Sequence, residues 1–180
     1  MSERISADCL LAALARSGFR KASMEDLARA TGVSRQALYN RFGSKEALAD
    51  WAVKASIEAS LAAALRHLAN PKLALVPRLI EALDAWAGRH IDLLRSSPHA
   101  IEVVPMVARD PGDAARAAER KLVAAMAQAI RISGPGAAAP RAGGMAQALA
   151  WTAKGLVHAV PDHAAFRREL DPIVGAMLGR

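Results

Sequence analysis

Residues 31–48 read TGVSRQALYNRFGSKEAL. In a chain with only 4% aromatic residues, a Tyr and a Phe stand three apart here, and a Ser-Lys-Glu directly follows the next Gly. The spacing is that of helix punctuation. Ser34 and Ser44 each stand where an N-cap is wanted, with a hydroxyl able to accept a backbone N–H of the turn it opens. Gly32 and Gly43 suit the left-handed residue that ends a helix, having no Cβ to clash. Upstream, Ser23 opens SMED, in which Asp26 can reach back to the free backbone N–H of the cap. The pattern predicts helices over about 24–30 and 35–41, preceded by one over about 4–17 and followed by a long one from Lys45.

Two short helices joined by Thr31-Gly32-Val33 make a helix-turn-helix. At helical spacing Arg35, Gln36, Tyr39 and Asn40 fall within one arc of about 140°. Leu38 lies outside that arc and is expected to pack against Leu27, Ala28 and Val33. The exposed arc has the chemistry a major groove asks for. Arg35 can give guanine two N–H donors, Gln36 and Asn40 can pair with adenine, and Ala37 can touch a thymine methyl. Tyr39, Arg41 and Lys45 can hold phosphates, as can Ser23 and Ser44 through the helix N-termini they cap. Phe42 reads as a core plug.

The residues GFRKASMEDLARATGVSRQALYNRFGSKEAL resemble the DNA-binding head of the TetR family of bacterial transcriptional regulators. The matching pieces are the Gly-aromatic after the first helix, the hydroxyl at Ser23, Ala-x-x-x-Gly-Val-Ser, Leu-Tyr-x-x-Phe and Ser-Lys-Glu-x-Leu. The likeness covers residues 4–51. It implies a homodimer on a palindromic DNA operator, usually as a repressor, with an effector pocket in the body whose occupation releases DNA. Gln36-Ala37 stands where the family often has Gly-Thr or Pro-Thr, so the operator sequence does not carry over. The arm before the first helix has a single Arg, Arg4, which argues against minor-groove contacts by an arm.

Composition agrees with an all-α protein. Of the 180 residues, 53% are apolar, much of that Ala, and 23% are charged. Helix formers dominate and β-branched residues are sparse. The net charge of +7 is spread, with only +2 in residues 1–50 from eight Lys/Arg and six Asp/Glu, so no polybasic tail exists. One cysteine excludes an internal disulfide framework and suits a reducing compartment. Cys9 sits in the apolar run CLLAALA and is expected to be a buried thiol. That run follows acidic residues rather than a basic segment, so it is no signal peptide. No run approaches the roughly 18 apolar residues of a membrane span, which predicts a cytoplasmic protein.

The domains expected are a helix-turn-helix DNA-binding domain over 1–46 and a helical effector-binding and dimerisation domain over 47–180. In the second, the helix from Lys45 is expected to reach about Leu68 with a buried stripe of Leu48, Trp51/Ala52, Ala55, Ala59, Ala62 and Leu65. A fifth helix, with Pro77 in its first turn, is expected to reach about Leu94. A segment over 99–109 is interrupted by Pro105. Helices over about 112–131, 143–159 and 163–178 follow, with a loop at 134–140 and a kink or break at Pro172. Ala148, Thr152, Gly155 and Ala159 form a small-residue stripe. It allows close helix packing, and the family resemblance makes it a dimer interface. Trp86, His90, Met106, Met126 and Trp151 are the expected lining for a mostly apolar effector.

Enzymatic chemistry finds no foothold. The five histidines, at 67, 90, 99, 158 and 163, include no HExxH, and with one Cys there is no structural zinc pattern. His158 and His163 straddle Pro161-Asp162, a spacing that reads as loop histidines before it reads as a metal site. Glu25-Asp26 is explained by helix capping and the helix dipole. No GxGxxG, GxxxxGK[ST] or GxSxG motif occurs, and no cofactor is expected. The competing reading is a helical protein-interaction module that keeps a helix-turn-helix head without a ligand response.

Overall fold

The computed structural model describes residues 5–97, 99–100 and 111–179. Met106, Arg4 and the interruption at Pro105 lie outside the described residues. The described chain is all helical: α1 (Ala7–Ser17), α2 (Met24–Thr31), α3 (Arg35–Phe42), α4 (Lys45–Leu68), α5 (Leu75–Trp86), α6 (Ile91–Arg95), α7 (Pro111–Ser133), α8 (Ala142–Ala159) and α9 (His163–Met177). Among the described residues there is no strand, and no helix is long and apolar enough to cross a membrane.

Two compact units share the chain. The first, the head, holds the described residues of Met1–Ile57 and Leu93–Ala115. Its core is built on Leu10, Leu14, Leu27, Leu38 and Leu48, all with no exposed surface, with Ala28 and Val33 beside them. The helix starts are fixed by side chains. Ser6 accepts from the Cys9 N–H at 3.3 Å, Ser23 from Asp26 at 3.2 Å, Ser34 from Ala37 at 3.1 Å and Ser44 from Ala47 at 3.1 Å. The ends of α2 and α3 fall on Gly32 and Gly43, at φ 73° and 76°, where a Cβ would be strained.

The second unit, the body, holds the described residues of Glu58–Asp92 and Arg116–Arg180. Its core centres on Leu79, Leu83, Leu122, Met126, Ile130, Leu149, Phe166 and Leu170, each without exposed surface. An ionic cluster ties α5 to α9. Arg167 pairs with Glu81 and Asp84 at 2.5 Å each, and His163 meets Asp84 at 2.5 Å. The Arg167 guanidinium holds the Glu81 carboxyl below its ordinary range, and Glu81 in turn pushes Arg167 further up. Lys154 on α8 reaches Glu119 on α7 at 3.0 Å.

Five expectations are corrected. Cys9 is exposed, because the apolar run turns Leu10, Leu11, Ala13 and Leu14 inward and leaves Cys9 on the outer arc of α1. In α4 the buried row is Leu48, Ala52, Ser56, Ser60, Ala64 and Leu68, whereas Ala59, Ala62 and Leu65 face outward. Each step of four advances about 40° beyond a full turn, so this row winds round the helix instead of following a straight stripe. Alanine on every face gave no contrast to reveal it, and two buried serines concealed it. Ser60 Oγ lies 2.9 Å from His90 Nε2, while the buried Ser56 Oγ has no partner.

The fifth helix stops at Trp86 rather than Leu94, and a 3-10 turn, Gly88–His90, leads into α6. Gly88 is pressed between elements: a Cβ there would collide with Asp84 Oδ1 and stand 2.8 Å from the Phe166 ring. The predicted loop at 134–140 is wound into a 3-10 helix, Gly136–Arg141, and α9 runs undivided through Pro172.

Candidate DNA-binding interface

The helix-turn-helix presents one face of α3 to the outside by burying the other. Leu38 is fully enclosed in the head, which turns Arg35, Gln36, Ala37, Tyr39, Asn40 and Arg41 to the outside, Tyr39 with 37% of its surface exposed. The Ser34 cap sets the first turn, where Arg35, Gln36 and Ala37 sit. Two pairs one turn apart order the arc. The Arg35 guanidinium lies 5.4 Å from the centre of the Tyr39 ring, a cation–π contact that restrains a long side chain. Gln36 Nε2 donates to Asn40 Oδ1 at 2.8 Å.

The residues expected at phosphates are held by the head itself. Lys45 is half-buried; its ammonium donates to the carbonyls of Phe19 at 2.8 Å and Ala22 at 3.0 Å and lies 4.6 Å from the Phe19 ring. An ammonium has three donors, so one stays open for an anion. The Arg41 guanidinium lies over the Phe42 and Trp51 rings at 5.3 and 5.6 Å, and those rings pack 5.1 Å apart at 45°. Besides its cap bond, Ser23 is engaged twice more by Asp26. Its hydroxyl donates to the Asp26 carboxylate at 2.6 Å, and the Ser23 N–H donates to the same carboxylate at 3.0 Å. These bonds, the hydroxyl first, hold the Asp26 carboxyl below its ordinary range, with the Arg29 charge adding to them. Ser23 therefore contributes as the cap that sets the start of α2, beside the Asp26 carboxylate.

The body residues are scattered. Trp86 is half-buried against the body core, His90 half-buried at Ser60, and Met126 has no exposed surface. Trp151 has 64% of its surface exposed on α8 and so cannot line an interior cavity. It belongs instead to the stripe of Ala148 and Thr152, half-buried, and Gly155 and Ala159, exposed. Steps of three and four place all five on one face, a pattern already present in the sequence. His163 pairs with Asp84 and Asp162 caps α9, accepting from Ala165 at 2.7 Å. Among the described residues no group of three His, Cys, Asp or Glu side chains could hold a metal ion. Sequence reasoning missed four supports of the interface: Phe19 under Lys45, Trp51 under Arg41, the Arg35–Tyr39 contact and the Gln36–Asn40 bond. Only the last two carried a signal, the spacing of four on one helix.

Residues 10–51 match the family model for bacterial regulatory proteins of the tetR family. No curated protein matches the sequence. Solved structures match over nearly the whole chain. A transcriptional regulator from Rhodococcus sp. Rha1 is 20% identical with a TM-score of 0.69, covering 96% of this chain and 93% of that one. Salmonella enterica GusR is 21% identical at 0.60, covering 97% and 95%. The TetR family transcriptional regulator PfmR from Thermus thermophilus is 17% identical at 0.58, covering 94% and 96%. The chain thus carries a helix-turn-helix DNA-binding domain on an all-helical frame. The head is similar to the TetR-family model over residues 10–51, and the whole chain shares its fold with solved TetR-family transcriptional regulators.

Proposed function

We propose that this chain is a cytoplasmic, sequence-specific transcriptional regulator that binds a palindromic operator in double-stranded DNA as a homodimer. It represses there and releases DNA when a small apolar effector occupies the body. Residues 1–46 are the DNA-binding domain and 47–180 the effector-binding and dimerisation domain. The observation that carries this is the exposed arc of α3 on a helix whose other side, Leu38, is wholly buried. Arg35, Gln36, Ala37 and Asn40 read bases. Tyr39, Arg41, the open donor of Lys45 and the α2 start capped by Ser23 hold phosphates. The face of Ala148, Trp151, Thr152, Gly155 and Ala159, half-buried at Ala148 and Thr152 and exposed at the other three, supports pairing of two copies, since a monomer leaves a large aromatic in water. Trp86 and His90 are the residues to probe for the effector.

The test is DNA binding by the full chain across a salt series. Phosphate contacts impose a steep fall of log affinity with log salt. Arg35→Ala should cost about 1–3 kcal/mol on the best site and relax one base position, whereas Lys45→Ala should weaken all sites alike. Equal, indiscriminate losses in both variants would contradict the division of roles. Sedimentation should give a dimer for the parent and a smaller species for Trp151→Glu; a parent that stays monomeric at micromolar concentration would sink the dimer. A binding curve insensitive to salt would favour the protein-interaction module.

A further inference from the structure

We propose that Gln36 and Asn40 form a single recognition unit that reads one adenine per half-site, rather than two side chains that each read a base of their own. The inference rests on the DNA-reading role of α3 given above. Both side chains are exposed and stand four residues apart on α3, and Gln36 Nε2 donates to Asn40 Oδ1 over 2.8 Å. An amide nitrogen has two N–H donors and an amide oxygen two lone pairs. The bond uses one of each. A spare N–H and a spare lone pair remain on atoms 2.8 Å apart. Exchanging the oxygen and nitrogen of both amides reverses the direction of the bond and leaves the same spare donor beside the same spare acceptor.

Adenine presents N7 as an acceptor and N6–H as a donor, side by side on its major-groove edge. The spare N–H meets N7 and the spare lone pair meets N6–H. Guanine offers two acceptors on that edge, so its O6 would face the unit's lone pair and be rejected. Cytosine offers a donor without the neighbouring acceptor, and thymine an acceptor beside a methyl. The unit is also ordered before binding. Each amide holds the other's rotamer, so less side-chain entropy is lost on the DNA than for two free amides. Ala37, the next residue of α3, adds a methyl at the edge of the same arc, and Arg35 with Tyr39 forms a separate pair beside the unit.

The test is selection of bound duplexes from a randomised library by the full-length protein, run for the parent, Gln36→Ala, Asn40→Ala and the double variant. All three substitutions are on exposed positions, and the thermal midpoint of each protein confirms folding. The expected result is an adenine preference in the parent that both single variants lose at the same position, by about five- to hundred-fold. The double variant should lose no more than either single one, because removing one partner already dissolves the unit. Loss at two different positions, with losses that multiply in the double variant, would overturn the proposal and leave two independent contacts. A parent motif indifferent to both substitutions would overturn it as well. A parent that selects no motif at all would overturn the regulator reading itself, and that outcome is told apart because it is seen before any variant is compared.

Discussion

The head and the body of this molecule are stabilised by different kinds of rule. In the head, devices within a few residues of one another settle where each helix starts and stops: four serine caps and positive-φ glycines at Gly32 and Gly43. The body has few such marks. Of its helices, α5 and α8 begin without a side-chain cap, and the unit relies on contacts between residues distant in sequence, such as Phe166 against Gly88 and Arg167 against Glu81 and Asp84. Local rules can be read along the chain; long-range ones need the fold.

This difference sets the order of the expected effects. The largest belongs to the body. Phe166→Ala should cost about 3–5 kcal/mol of stability, because a fully buried aromatic leaves a cavity. Chemical denaturation measures it, and a loss no larger than that of a cap deletion in the head would break the contrast. Gly88→Ala comes next. Its Cβ would need to displace the Asp84 carboxylate and the Phe166 ring, at about 1–3 kcal/mol, and would loosen the His163 and Arg167 pairs together. Calorimetry of Gly88→Ala, Asp84→Asn and the double variant checks this, with less than additive losses expected since the two act on one cluster.

In the head, Ser23→Ala should cost about 0.5–2 kcal/mol by removing the cap of α2, and hydrogen exchange in the first turn of that helix should rise. Little change in exchange there would mean that burial of Met24 and Leu27, not the cap, sets the start of the helix. The smallest effect is a pH dependence. The folded pKa values of Asp26 and Glu81 lie below their ordinary 3.8 and 4.5. A depressed acid stabilises fully above its unfolded value, and that contribution is lost as pH falls through the folded value. Stability should thus be level above about pH 5 from these groups and fall in stronger acid. Ser23→Ala should flatten the part owed to Asp26, and Arg167→Ala the part owed to Glu81. Acid titration of stability checks both, and unchanged profiles would show that neither contact matters.

The same contrast explains what was legible in the sequence. The helix-turn-helix, its caps and its outward arc follow from residue types at fixed local spacing, so Ser34, Leu38 and the Arg35–Asn40 arc stand where the spacing puts them. Lys45 was legible as a cation near the interface, but its grip on the Phe19 and Ala22 carbonyls was not, because that contact closes a loop of more than twenty residues. In the body, Ala on every helical face erased the contrast that periodicity needs. The buried row of α4 ran through Ser56 and Ser60, and α5 ended at Trp86, two residues before a glycine whose constraint comes from Asp84 and Phe166. Trp151 misled by its chemistry: a tryptophan suggests enclosure, whereas its spacing from Ala148 and Gly155 already placed it on a stripe of which Trp151, Gly155 and Ala159 are exposed in the single chain.

One measurement bears most directly on the claim that the exposed arc of α3 reads DNA for a dimeric regulator. Genomic fragments retained by the purified full-length protein are sequenced beside those retained by Arg35→Ala. A palindromic motif in the parent set, relaxed at one position of each half-site in the variant set, is the predicted result. Retention of no fragment, or of all fragments equally by both proteins, would contradict it.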